Sequence, residues 1–295
     1  MDKKKNSKFW AKIHSYTKQE NILLPIFHFI LLFFALYQML PLFYLILNSF
    51  KSVEEYYANS LAMPTRMQLS NFANALKLTY RNTNVLEMFF NSVWFVISFS
   101  FGTIFSSLVT AYVLSRFQFK GRNIIYSTAI VVQIIPIFGS TGASYILMDK
   151  LGLVDNVWLI WISAANGFDY TFLIIYSYFV NVDRTYSEAA RIDGASLFTV
   201  FIQIMVPMVM PAILTMWLST FISLWNDYMT ALIYLPSYPT LATGLYNLKS
   251  TSAFQKGGIT SYFAAMLIAM IPIMIVFVCT QKKIFKIDLS GGVKG

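Results

Sequence analysis

The chain has 295 residues, of which 57% are hydrophobic and only 12% charged. A water-soluble surface normally needs about a quarter of residues to be ionisable, so a soluble globular domain is excluded and a polytopic membrane protein is expected. The net charge of +9 would suggest nucleic-acid binding in a soluble protein; here it raises the question of which side of the membrane holds the excess. A single cysteine, Cys279, leaves no internal disulfide, and the two histidines, His14 and His28, form no metal-ligand cluster with it.

Residues 1–20 contain Lys3, Lys4, Lys5, Lys8 and Lys12, a basic segment that reads as an orientation signal beside anionic membrane lipid rather than a nucleic-acid site. Apolar stretches of spanning length then recur, since a membrane crossing needs roughly 20 apolar residues whose peptide groups bond to one another. They predict an all-α domain over residues 21–285 with six spans, at about 22–50, 86–115, 122–148, 154–181, 204–235 and 261–281. Between the first two, residues 51–87 are polar enough for an outer segment with a short surface helix. The uncharged stretch Tyr228–Leu248 reads as the end of the fifth span and a loop, because Pro236, Pro239 and Gly244 form turns. Residues 286–295 form a short tail.

Basic residues are retained on the cytoplasmic side of short loops. With six spans, both termini lie on one side, which holds 15 of the 22 Lys and Arg residues. Both termini are therefore expected to be cytoplasmic. That side carries the whole +9, and the outer and embedded portion sums to zero.

The loop between spans four and five, residues 182–203, contains Glu188-Ala189-Ala190-Arg191-Ile192-Asp193-Gly194-Ala195-Ser196, followed by Ile204, Val206 and Pro207. Thr185 and Glu188 have the spacing of a capping box that starts a helix. Ala189 and Ala190 leave one helix face nearly flat, Gly194 permits a sharp turn, and Ser196 is placed to cap a second helix. The segment reads as a helix-turn-helix gripped from outside the membrane.

This arrangement closely resembles the EAA loop of ABC importer permeases, with Val206 in place of the family's Leu. Trp225-Asn226-Asp227-Tyr228, the terminal Gly291-Gly292-Val293-Lys294-Gly295 and Asn48-Ser49-Phe50-Lys51 are similar to the carbohydrate-uptake type. The resemblance implies the type I importer permease fold and a role for Glu188, Ala189, Ala190, Asp193, Gly194 and Ala195 in coupling to an ATPase. It also implies two ATPase subunits that bind ATP and Mg, a second homologous permease, an extracellular solute-binding protein, and contact of the Lys294 tail with the ATPases. No Gly-x-x-x-x-Gly-Lys-Ser/Thr loop is present, so this chain has no phosphate cradle and is not expected to be an enzyme or to bind a cofactor itself.

Asp169 stands near the middle of the fourth predicted span. A charge there is costly unless it meets water or a partner, so Asp169 and neighbouring Asn166 are translocation-path candidates, with a bond to another helix as the alternative. Ala164 to Gly167 reads as a close packing point or a local break. Trp225, Asn226, Asp227 and Tyr228 are further candidates, because sugars are held by amides, carboxylates and aromatic faces. Lys249, Gln255, Lys256 and Gly257 lie in an outer loop placed like the family's loop that reaches the binding protein. A sugar, most simply an oligosaccharide, is the expected solute; glycerol phosphate or another polyol stays open within the same family. An intramembrane enzyme and an ATP-independent carrier are the rival classes, and neither accounts for the Glu188 loop.

Overall fold

The computed structural model describes residues 18–135, 139–249 and 258–291. In chain order the elements are α1 (Lys18–Ser49), α2 (Val53–Ala58), α3 (Ser70–Lys77), a hairpin of β1 (Thr79–Tyr80) and β2 (Thr83–Asn84), and α4 (Val85–Arg116). There follow α5 (Arg122–Ile134), α6 (Thr141–Lys150), a 3-10 turn at Ile160–Ala164, α7 (Tyr170–Asn181) and α8 (Thr185–Ile192). The chain continues through α9 (Leu197–Asn226), α10 (Met229–Tyr234), α11 (Leu241–Leu248) and α12 (Ile259–Gly291). The two-residue strands are a small exception to the all-α expectation.

Four helices among the described residues are long and apolar enough to cross a membrane: Leu23–Ser49, Val85–Arg116, Leu197–Asn226 and Ile259–Gln281. The single continuous helices expected over 122–148 and 154–181 are not formed. α5 stops at Ile134, and Ile135 turns extended, the conformation that a following proline imposes on its neighbour. Beyond α6, Gly152 and Asp155 adopt φ values of 67° and 57°, so the chain turns instead of entering a fourth long helix. The stretch then breaks again between Ala164 and Tyr170, where Gly167 has φ 75°; both readings of Ala164 to Gly167 hold, because the helix breaks there and Gly167 packs closely on α4. The fifth helix begins at Leu197 rather than near 204 and ends at Asn226 rather than near 235. Its residues Val200–Met205 are π-helical, just before Pro207, whose missing N–H removes one regular bond from the ladder.

α4 is the hub. α7, the 3-10 turn, α9 and α11 pack on it, while α12 packs on α1, α3 and α9. One end of α4 joins Phe172, Ile175 and Phe179 of α7 to Val200, Phe201 and Met205 of α9. The other end gathers Phe95, Val96 and Phe99 with Ile160, Phe221, Trp225 and Leu241. Gly102 allows the 3-10 turn to come close: a Cβ there would lie 2.7 Å from the Trp161 carbonyl oxygen.

The polar segment between α1 and α4 holds two short helices where one was expected. Capping boxes of Ser52 with Glu55 and Asn84 with Glu87 start α2 and α4. The Asn48-Ser49-Phe50-Lys51 stretch has a structural purpose. Asn71 Nδ2 donates to the carbonyls of Ser49 (2.9 Å) and Lys51 (2.8 Å), and Thr260 of α12 donates to Asn71 Oδ1. Lys51 is buried, its Nζ donating to the Asn59 and Ser60 carbonyls, and burial pushes its ammonium below the usual lysine range.

Candidate functional site

The Glu188 segment folds as a helix-turn-helix, although the cap differs from the expected one. Thr185 and Glu188 form no capping box. Instead the Asp183 carboxylate accepts from the Thr185 N–H (2.9 Å) and the Thr185 hydroxyl (2.6 Å). The hydroxyl bond, then the N–H, holds the Asp183 pKa below the usual carboxylate range. The physical reason is register: α8 starts at Thr185, the N-cap Arg184 makes no side-chain bond, and the Asx turn of Asp183 takes up the first free N–H of the helix instead. An Asp two residues ahead of Thr was the sequence signal for this cap.

Gly194 has φ 84°, and nothing lies within 4 Å of where its Cβ would be, so the position requires glycine for its backbone and not for space. Ser196 then caps α9, its Oγ accepting from Thr199 N–H at 3.1 Å, as the sequence predicts. Ala190 and Ala195 pack inward against the core around Phe179 and Met205. Glu188, Ala189, Asp193 and Gly194 face outward. Beside them Ile192, at the end of α8, is 86% exposed, and Phe198, in the first turn of α9, is 73% exposed.

Asp169 is not a charge in mid-helix. It is the N-cap of α7, where its Oδ1 accepts from the Phe172 N–H at 2.9 Å and from the Ser107 hydroxyl of α4 at 2.7 Å. Gly167 lies so close to α4 that a Cβ would meet Thr110 Oγ1 at 2.9 Å. Asn166 is exposed and, with Thr128, Gln133 and Phe168, lines a hollow of 500 Å³ between α5 and the break. Gln133 Nε2 donates to the Phe168 carbonyl across it. Gln133 and Ser107 escaped the sequence reading because serine and glutamine in apolar spans carry no pattern until their partners are placed.

The four residues from Trp225 to Tyr228 form the junction between α9 and α10. Trp225 is 5% exposed, stacks on Phe221 and donates its indole N–H to the Ala269 carbonyl of α12 at 2.9 Å, which encloses it in the core. Asn226 is exposed and its amide bonds back to Ile222. Asp227 ends α9 and accepts from the N–H groups of Met229 and Thr230, starting α10. Tyr228 stacks on Tyr246 of α11, with ring centres 4.1 Å apart. Lys249 is exposed just after α11. Gln255, Lys256, Gly257 and Lys294 lie outside the described residues.

The family described as binding-protein-dependent transport system inner membrane component matches residues 102–286. The chain is similar to the probable ABC transporter permease protein YurM of Bacillus subtilis, at 30% identity over 258 residues, covering 86% of this chain and 83% of that protein. It is 28% identical over 260 residues to the diacetylchitobiose uptake system permease protein NgcG of Streptomyces coelicolor, covering 87% and 84%. Its fold is similar to that of a chain in a bacterial ABC transporter involved in the import of the acidic polysaccharide alginate, with TM-score 0.74 and 22% identity over 90% of this chain and 98% of that one.

Proposed function

The chain belongs to the family of binding-protein-dependent transport system inner membrane components, and we propose that it is a membrane permease subunit of an ATP-driven sugar importer. It forms half of a translocation path with a second, homologous permease, and an extracellular binding protein delivers the solute. ATP and Mg belong to two separate ATPase subunits. A relative named for diacetylchitobiose uptake supports an oligosaccharide as the solute. The chain crosses the membrane six times with both termini in the cytoplasm, the third and fourth crossings being made by the broken segments α5 with α6 and the 3-10 turn with α7 rather than by continuous helices. In that arrangement 15 of the 22 Lys and Arg residues fall on the cytoplasmic side, as basic retention requires.

The observation that carries the coupling reading is the turn at Gly194, φ 84°, which presents Ala189 and Ile192 outside the membrane-crossing helices, with Phe198 exposed on the first turn of α9. Exposed apolar side chains on a capped, rigid loop are suited to burial against another protein. Glu188, Ala189, Ala190, Asp193, Gly194 and Ala195 position that surface, and the Lys294 tail makes a second contact with the ATPases. The test is Gly194→Asp in the full complex reconstituted in vesicles. Solute uptake and solute-stimulated ATP hydrolysis should both fall at least tenfold, a change of about 1.4 kcal/mol or more, while the complex still assembles. Unchanged uptake and hydrolysis would sink the coupling role.

A further inference from the structure

At the end of α4, beneath α8, lies a hollow of 170 Å³ whose polar lining is Tyr112, Arg116, Arg184, Ser187, Glu188 and Arg191. Three arginines and one glutamate contribute to the lining, so it carries a net positive charge. Arg116 is fixed at this point by two bonds from its Nη2, to the carbonyls of Phe179 (2.6 Å) and Val182 (2.7 Å) at the end of α7. Its Nε is buried and has no acceptor among the described residues. A buried charged donor without an acceptor is costly. With Nη2 spent on the two carbonyls, Arg116 holds its positive charge in place beside the hollow, and the forked donor sets that suit a phosphate belong to Arg184 and Arg191.

The position of the hollow names the source of the phosphate. Arg116 is the last residue of the membrane-crossing helix Val85–Arg116, and Tyr112 is one turn further in, so the hollow sits at the depth of lipid head groups. We propose that this hollow binds the phosphate of an anionic phospholipid, with Arg116 as the fixed anchor and Arg184 and Arg191 closing over it from α8 and its leading turn. Basic pockets between membrane helices hold anionic head groups in this way. Because Arg184 and Arg191 flank Glu188, a bound lipid braces α8 against the end of α4. The site depends on α4 crossing a membrane and is independent of the solute carried.

The test uses the assembled complex purified from nanodiscs of phosphatidylcholine and phosphatidylglycerol, with retained lipid counted by native mass spectrometry. The wild type should keep phosphatidylglycerol in preference to phosphatidylcholine. The double substitution Arg184→Gln and Arg191→Gln should weaken that retention roughly 30-fold, from about one basic residue's attraction apiece, and Arg184→Lys with Arg191→Lys should restore most of it. Equal retention of the two lipids by the wild type overturns the proposal even if the glutamine variant fails to assemble. Displacement of the lipid by millimolar inorganic phosphate, with phosphate retained in its place, would assign the site to a free anion and overturn the lipid assignment. Unchanged retention in an assembled glutamine variant, or binding of an acidic segment of the ATPase there in its stead, would overturn it as well.

Discussion

The Ser107 hydroxyl donates to Asp169 Oδ1 at 2.7 Å, and the same oxygen accepts from the Phe172 N–H at 2.9 Å. One carboxylate oxygen thus begins α7 and fastens it to α4 just after the interruption of the helix between Ala164 and Tyr170. A carboxylate that looks like a lone charge in a span is a helix cap with a cross-helix partner.

Asp169→Ala is expected to remove that cap and leave the Ser107 hydroxyl without its acceptor, lowering the stability of the complex by about 1 to 2 kcal/mol. Asp169→Asn keeps an acceptor oxygen and should recover most of the loss. Thermal unfolding of the purified complex measures both, with uptake measured alongside. If the alanine variant loses uptake with no loss of stability or assembly, the capping account fails and a path role is favoured.

Trp225 joins α9 to α12 through its bond to Ala269 and its stacking on Phe221. Trp225→Phe should cost about 1 kcal/mol, the net worth of one hydrogen bond, and Trp225→Ala about 3 to 5 kcal/mol, because a large cavity is added. Both variants should change stability without changing which sugar is transported. A shift in solute preference in Trp225→Phe would contradict its enclosed position.

Gly102 faces backbone, the Trp161 carbonyl at 2.7 Å from an added Cβ, and backbone cannot rotate aside. Gly102→Ala should therefore push the 3-10 turn away from α4 and destabilise the complex by about 1 to 3 kcal/mol. A melting temperature equal to that of the parent would show that the turn tolerates the displacement.

The Asp183 cap predicts an acid response of α8. Its carboxyl is held below the ordinary aspartate value of about 3.9, so it stabilises the helix at pH above that value and ceases to do so as pH falls through the lowered one. A spin label at Tyr186→Cys, with Cys279→Ser to leave one thiol, should stay restrained from pH 7 to about 4 and become mobile only below. In Asp183→Ala it should be mobile throughout, and in Asp183→Asn restrained throughout. A label at Tyr57→Cys reports any general unfolding. Mobility of the Tyr186 label that is the same in all three backgrounds would refute the cap.

Much of this protein was legible in the residues one after another. The long apolar stretches of α1, α4, α9 and α12, the glycine turn at Gly194 and the Ser196 cap follow from composition and local backbone chemistry, and the Glu188 segment pointed to its family. These features depend on residues close in sequence, where propensity and capping act directly.

Other features depended on partners far away in the chain. Hydropathy sees the interval from Arg122 to Asn181 as two continuous helices, because the average over a window does not register Gly152, Asp155 and Gly167 leaving the helical region. The roles of Asp169, Trp225 and Arg116 rest on Ser107, Ala269 and the carbonyls of Phe179 and Val182, each more than 40 residues distant. A polar side chain in an apolar helix has no meaning until its acceptor is placed, since lipid supplies none. The sequence by itself determined that the chain lives in a membrane and which family it belongs to. Only the tertiary structure decided which polar groups hold the helices together and which remain open to a ligand, because hydrogen bonds are satisfied in space and not along the chain.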